Sequence, residues 1–171
     1  DATLDSLARG LDAIAAETGW GIVFFPAGTA PWHDDLEAYR RCAARFATAP
    51  WRIFAALDVW QITALIAASR GFVGTSLHGH IVASAFALPR VSFLPPSLAG
   101  RSNKLAAYLA TWEMPEMPGV VHLARLAEGF SRAIGVAAEA RQSHARRLAE
   151  LYQRAAADSI ACIRSQCEPG Q

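Results

Sequence analysis

Four short runs constrain the fold most: Gly21–Phe25 (GIVFF), Trp51–Ala55 (WRIFA), Gly71–Thr75 (GFVGT) and Arg90–Leu94 (RVSFL). GIVFF is apolar throughout, the mark of a strand buried on both faces. Between the runs lie stretches with apolar residues at helical spacing. Thr3 to Thr18 carries Leu4, Leu7, Leu11 and Ile14, with Gly19 placed as a C-cap. Asp34 or Asp35 is positioned to cap a helix running to about Phe46, and Asp58 to cap one through Ser69. Leu77 to Ala87 is an apolar helix before Pro89, and a further helix is predicted from about Asn103 to Trp112. Gly119 to His122 reads as a short fifth strand; helices over Leu123 to Ile134 and Val136 to about Gln166 follow. Strands and helices alternating in this way argue for βαβ units. The expected fold is therefore α/β: a Rossmann-like parallel sheet of about five strands, helices on both faces and right-handed crossovers, in one domain over 1–171.

Composition supports a packed core. Apolar residues make up 53% and charged residues 18% of the 171, with mean hydropathy +0.18. That excludes a disordered chain. Sixteen basic against 15 acidic residues leave a net charge of +1, so no strong field favours nucleic acid. No apolar run approaches the roughly 18 residues of a membrane span, and the start has no signal-peptide pattern. The three cysteines, Cys42, Cys162 and Cys167, fit no metal-ligand spacing and read as free thiols of a reducing cytoplasm. Lys104 is the single lysine against fifteen arginines.

In parallel sheets ligands bind where strand C-termini lead into helix N-termini. The sharpest such place is Gly74-Thr75-Ser76-Leu77-His78-Gly79-His80. The first turn of a helix holds amides without intrahelical partners and the positive end of the macrodipole. Gly74, Ser76 and Gly79 are small enough to let an anion approach the backbone, and Thr75 or Ser76 can cap the helix or donate to an anion. His78 would add a titratable proton donor. The same residues also fit a plain capped helix whose histidines pack or face solvent. His78 and His80 lie roughly 200° apart around a helix, so they do not form a two-histidine metal site; no metal and no cofactor are expected.

Asp58 to Pro89 (DVWQITALIAASRGFVGTSLHGHIVASAFALP) resembles the C-terminal signature of the polysaccharide pyruvyl transferase family: a helix, a strand, then a Ser-Leu-His-Gly element opening a helix that ends before Pro. The resemblance extends from Gly21 through Asn103-Lys104 to the closing helices. It implies one half of a GT-B-like enzyme with its site in an interdomain cleft. The implied activity is pyruvyl transfer from phosphoenolpyruvate to a saccharide or lipid-linked glycan hydroxyl, in exopolysaccharide or cell-surface glycan modification. The implied setting is the cytoplasm or the inner-membrane surface, and a homo-oligomer stays open. The signature's histidine, proposed in the family to act in acid catalysis, corresponds to His78. The family's arginine at the signature's first position is replaced by Ser76, so another cation must meet the donor. Arg70 reads as a helix C-terminal charge, which leaves Arg101 and Lys104. Thr75, Ser76, Leu77, Gly79, Arg101, Lys104 and His33 are the expected binding residues, with His78 catalytic.

A GT-B-like enzyme needs two domains, and the chain opens on Asp1. The expectation is that it forms the C-terminal, donor-side half of a longer transferase, or a naturally short one, binding phosphoenolpyruvate weakly without turnover. Two alternatives stand beside it. One is a glycosyltransferase or sugar-nucleotide epimerase half with a nucleotide diphosphate on the same turn, against which Ile81 to Ala87 supplies no ribose-binding carboxylate. The other is a non-catalytic binding or assembly module. The tryptophans Trp32, Trp51, Trp60 and Trp112 read as core or interface packing, with sugar stacking open at Trp32. His122 and His144 have no supporting context, and Arg141, Arg146, Arg147 and Arg154 read as a solvated helix face.

Overall fold

A computed structural model describes residues 2–28, 35–55, 58–96 and 103–167, with side chains to 164. Among the described residues seven helices and five strands follow in order: α1 (Ala2–Thr18), β1 (Ile22–Phe24), α2 (Leu36–Ala43), β2 (Trp51–Ile53), α3 (Val59–Ala68), β3 (Phe72–Gly74), α4 (Leu77–Ala85), β4 (Arg90–Phe93), α5 (Lys104–Trp112), β5 (Val120–Val121), α6 (Leu126–Gly135) and α7 (Ala138–Cys167). A 3-10 turn, Leu123–Arg125, leads into α6.

All strand pairs are parallel, as expected, but the single five-stranded sheet is corrected to two small ones. β1 pairs with β2, and β3-β4-β5 form a second sheet. The reason lies at the facing edges of β1 and β3, which line opposite walls of one cavity instead of bonding to each other.

The local chemistry follows the residues. Leu11 and Ile14 of α1 are buried at helical spacing. The helix stops at Gly19, whose φ of 71° is the left-handed value that glycine adopts freely, with its N–H bonded to Ala15 O at 2.8 Å. Asp35 and Asp58 both act as caps. Asp35 accepts from Glu37 N at 2.9 Å, and Asp58 from Trp60 N and Gln61 N at 2.9 and 3.0 Å. Asp12, on α1, gathers three amides, those of Ala47, Thr48 and Ala49, and so holds the approach to β2. Those bonds, the Ala49 N–H first, keep its carboxyl below the usual range.

β4 is the buried centre of its sheet, and its two faces differ. Val91 and Phe93 join Ala8, Leu11 and Ile14 of α1 and Leu126, Phe130 and Ala133 of α6 in the main core. Arg90 and Ser92, at the alternate positions, point to the opposite face and are fully buried there. The helices divide accordingly: α1 packs with α2 and α6, whereas α4 packs with α3, α5 and α7.

Among the described residues Ala87, after α4, is the one non-glycine with positive φ, at 55°. Arg141 secures this turn, donating from Nε to Ala87 O at 2.8 Å and also to Val136 O. Arg141 is thus part of the α7 docking contact rather than a solvated face; Arg146, Arg147 and Arg154 are exposed as expected. Replacing Ala87 by Gly removes the left-handed penalty, so urea denaturation should show A87G more stable by about 0.5–1 kcal/mol. Unchanged or lower stability would show that the turn carries no such strain.

Candidate functional site

The N-terminus of α4 follows β3 after two residues. Ser76 is its N-cap, with Oγ accepting from Gly79 N at 3.2 Å. One first-turn amide is therefore covered by the chain itself. His78 is exposed, and together with Thr75, Ser76 and Leu77 it lines the rim of a cavity of about 1,210 Å³. Lys104 reaches the same cavity from the start of α5, where Asn103 caps by accepting from Leu105 N at 2.8 Å. Gly79 is buried and borders a smaller adjoining cavity of about 250 Å³, which shares His78.

The structure therefore brings together Thr75, Ser76, Leu77, His78 and Lys104. Arg101 and His33, with Trp32, lie outside the described residues. Arg70 sits at the opposite end of β3, with its guanidinium 5.7 Å from the centre of the Trp20 ring. Trp60 is 77% exposed at the start of α3, outside the core, and Trp112 is half-exposed beside Tyr152.

The glycines of the turn have a packing cause. A Cβ at Gly74 would come within 2.7 Å of Phe72 Cζ, and one at Gly79 within 2.8 Å of the same ring. Phe72 is buried and would have to move in either case.

Behind the exposed face of α4 lies a polar cluster that motif reading missed. Glu113, just after α5, has a side chain only 4% exposed. Its Oε2 accepts from Arg90 Nε at 2.8 Å and lies 2.7 Å from His80 Nε2. Its Oε1 accepts from Arg90 Nη2 and from Met114 N, the latter at 2.9 Å. A carboxylate only accepts, so His80 Nε2 is the donor. Ser92 Oγ stands 2.8 Å from His80 Nδ1. Serine, histidine and carboxylate in series suggest a nucleophile, but Ser92 and His80 are both fully buried and no substrate reaches them. The chemistry is that of an internal anchor. The signal was present in RVSF, where polar residues alternate with apolar ones inside a buried strand.

His144, on α7, brings Nε2 to 3.8 Å from Glu113 Oε1, where it is buried without a hydrogen-bond partner. Burial holds its pKa below the ordinary histidine value. Burial alone would raise the Glu113 carboxyl, but the bonds from His80 and Arg90 outweigh it and bring it down to about 2. His122, also without context in sequence, caps the 3-10 turn, its Nδ1 accepting from Ala124 N at 3.3 Å. Among the described residues no group of three His, Cys, Asp or Glu could hold a metal, and no helix is long and apolar enough to cross a membrane.

This is an α/β chain with parallel strands, whose exposed histidine stands at a helix N-terminus lining a cavity, the end of a parallel sheet where α/β folds present their loops. The family model for polysaccharide pyruvyl transferase matches residues 1–95, more than half of the 171, and the chain belongs to that family of transferases. No curated protein and no solved structure matches it.

The anchor generates a pH prediction. The folded pKa of Glu113 lies below its unfolded value of 4.5, so its contribution to stability is full above pH 4.5 and is lost as pH falls towards about 2. His144, also lowered from its ordinary value, contributes above pH 6.5 and loses that contribution as pH falls below it. E113Q breaks a buried ion pair and should lower stability by about 3–5 kcal/mol at pH 7, while flattening the loss below pH 4.5. Denaturant titrations of both proteins from pH 3 to 8 measure this, and parallel pH curves would refute it.

Proposed function

We propose that this chain supplies the donor-side half of a site transferring a pyruvyl group from phosphoenolpyruvate to saccharide hydroxyls, with His78 as the acid. The observation that carries the reading is the shared cavity rim. It sets an exposed imidazole, the first turn of α4 and the Lys104 ammonium around one space. Family membership supplies the reaction class.

The chemistry fits these groups. Phosphoenolpyruvate is highly anionic, and a helix N-terminus with a nearby ammonium favours its phosphate and carboxylate. Ser76 spends its oxygen on the Gly79 amide, which leaves its own hydroxyl hydrogen for a phosphate oxygen. The Leu77 and His78 amides open the same turn. With Arg101 and His33, these residues and Thr75 form the proposed donor site.

His78 gives a proton to the methylene carbon of the donor, which becomes a methyl group. A sugar hydroxyl adds to the neighbouring carbon, the bond to the bridging oxygen breaks, and phosphate leaves with that oxygen. A second hydroxyl of the same saccharide closes the ketal. Of the two protons released, one restores His78 and the other leaves with phosphate. In this reading Lys104 takes the place of the signature arginine, as a point charge without bidentate geometry.

Titrating the chain with phosphoenolpyruvate, and separately with a nucleotide sugar, while observing the His78 ring by NMR tests the donor class. Phosphoenolpyruvate should bind in preference. K104A should weaken it about tenfold, the scale of one charge-assisted hydrogen bond. In the complete transferase H78A should cut turnover by about 10²–10⁴ with little change in donor binding. Preference for the nucleotide sugar, or full turnover in H78A, would overturn the proposal.

A further inference from the structure

The larger cavity has two parallel sheet edges for walls. Ile22 N bonds to Pro50 O at 2.8 Å and Phe24 O accepts from Phe54 N at 2.8 Å, so these residues face β2. Val23, between them, turns its backbone groups the other way, into the cavity. On the far wall Phe72 N bonds to Pro89 O at 2.9 Å, and Val73 turns away from β4 in the same manner. Leu7 and Leu11 of α1 close one side, and Leu65 and Ile66 of α3 the other.

Such a space selects its occupant. A lipid tail would suit the leucines but would bury the Val23 and Val73 amides and carbonyls without partners. An extended backbone pairs with both edges at once. Flanked by helices on both faces, it would be a central strand, apolar on both sides.

The connections say where such a strand comes from. From β1 the chain passes through α2, on the α1 face, to β2. From β3 it steps the opposite way to β4 through α4, which lies on the other face, as Val91 and Ser92 of β4 show by pointing to opposite sides. Opposite directions on opposite faces are what right-handed crossovers require. Since α1 shares the α2 face and runs into β1, the strand that feeds α1 belongs beside β1 on the side away from β2. That position is the cavity.

We propose that the cavity seats a sixth parallel strand, contributed by polypeptide on the N-terminal side of Asp1 and running on into α1. It would join the two sheets in the order β2-β1-new strand-β3-β4-β5. Its C-terminal end would then turn into α1 beside Thr75–His78, where the strand order reverses and α/β sheets hold ligands. That turn adds backbone donors to the rim. The inference rests on topology and stands apart from the pyruvyl-transfer reading.

The test extends chain 1–171 at its N-terminus by a five-residue Val/Ile-rich strand and a short Gly-Asn turn. A control carries prolines within the same strand. Amide hydrogen exchange is followed at Val23 and Val73, with the melting temperature alongside. In 1–171 both amides should exchange freely. The strand extension should slow both by about 100-fold and raise the melting temperature, whereas the proline control should do neither. Protection of both amides already in 1–171 would mean that β1 and β3 pair directly, and would overturn the proposal. So would unchanged exchange and melting in the strand-extended chain.

Discussion

The Glu113 carboxylate is the group on which the packing of α4 against β4 and the end of α5 depends. It is buried, and it survives as an anion because donors surround it: the Arg90 fork, the His80 ring and the Met114 amide. Each donor belongs to a different piece of structure. Arg90 begins β4, His80 lies in the middle of α4, and Met114 starts the turn leading to β5. Removing any one of them leaves charge uncompensated in a low-dielectric interior, which is why such clusters hold their geometry. α7 packs against the cluster at His144, whose Nε2 lies 3.8 Å from Glu113 Oε1, and is held by Arg141 at the end of α4. Helix α4 is thus fixed from its inner face, and its outer face, with His78, is held at the cavity rim.

Much of this was legible in the residues. Short strand-like runs marked all five strands, and capping chemistry at Asp34 or Asp35 and at Asp58 placed two helix starts, with Asp35 and Asp58 as the caps. The turn at Ser76 was legible because cap, glycine and histidine fall together in seven residues. The polar cluster was not, because its members are distant in sequence: His80, Ser92 and Glu113 meet only once β4 lies between α4 and α5. Arg141 failed for a similar reason. An arginine at helical spacing with exposed neighbours gives no local hint that Ala87 O will accept from it. The sheet was misjudged because periodicity identifies strands but not which edges meet.

The glycines of the turn show how one residue pattern can have two causes. Gly74 and Gly79 look like an invitation to an anion, yet each gives way to the ring of Phe72. Glycine is required at both positions whether or not any ligand binds, so it says nothing for the anion. Two features of the site are left that Phe72 does not explain. His78 faces outward although α4 is largely apolar, and Lys104, the chain's single lysine, reaches the same space.

Those two groups lie where β1 and β3 diverge, and the position has a physical reason. Within each sheet every strand pair is parallel, so its strand-to-helix turns emerge at one end, with the helix dipoles pointing back at the sheet. Within a run of adjacent strands the connecting helices cover those turns. Between β1 and β3 the connections part to opposite faces, and there the N-terminus of α4 opens onto the cavity. Ser76 satisfies one amide of that N-terminus and leaves the first turn facing the cavity. The exposed position of His78 and the open sheet edges at Val23 and Val73 are therefore consequences of one topological break. A strand seated there would add backbone donors to the rim without displacing the histidine.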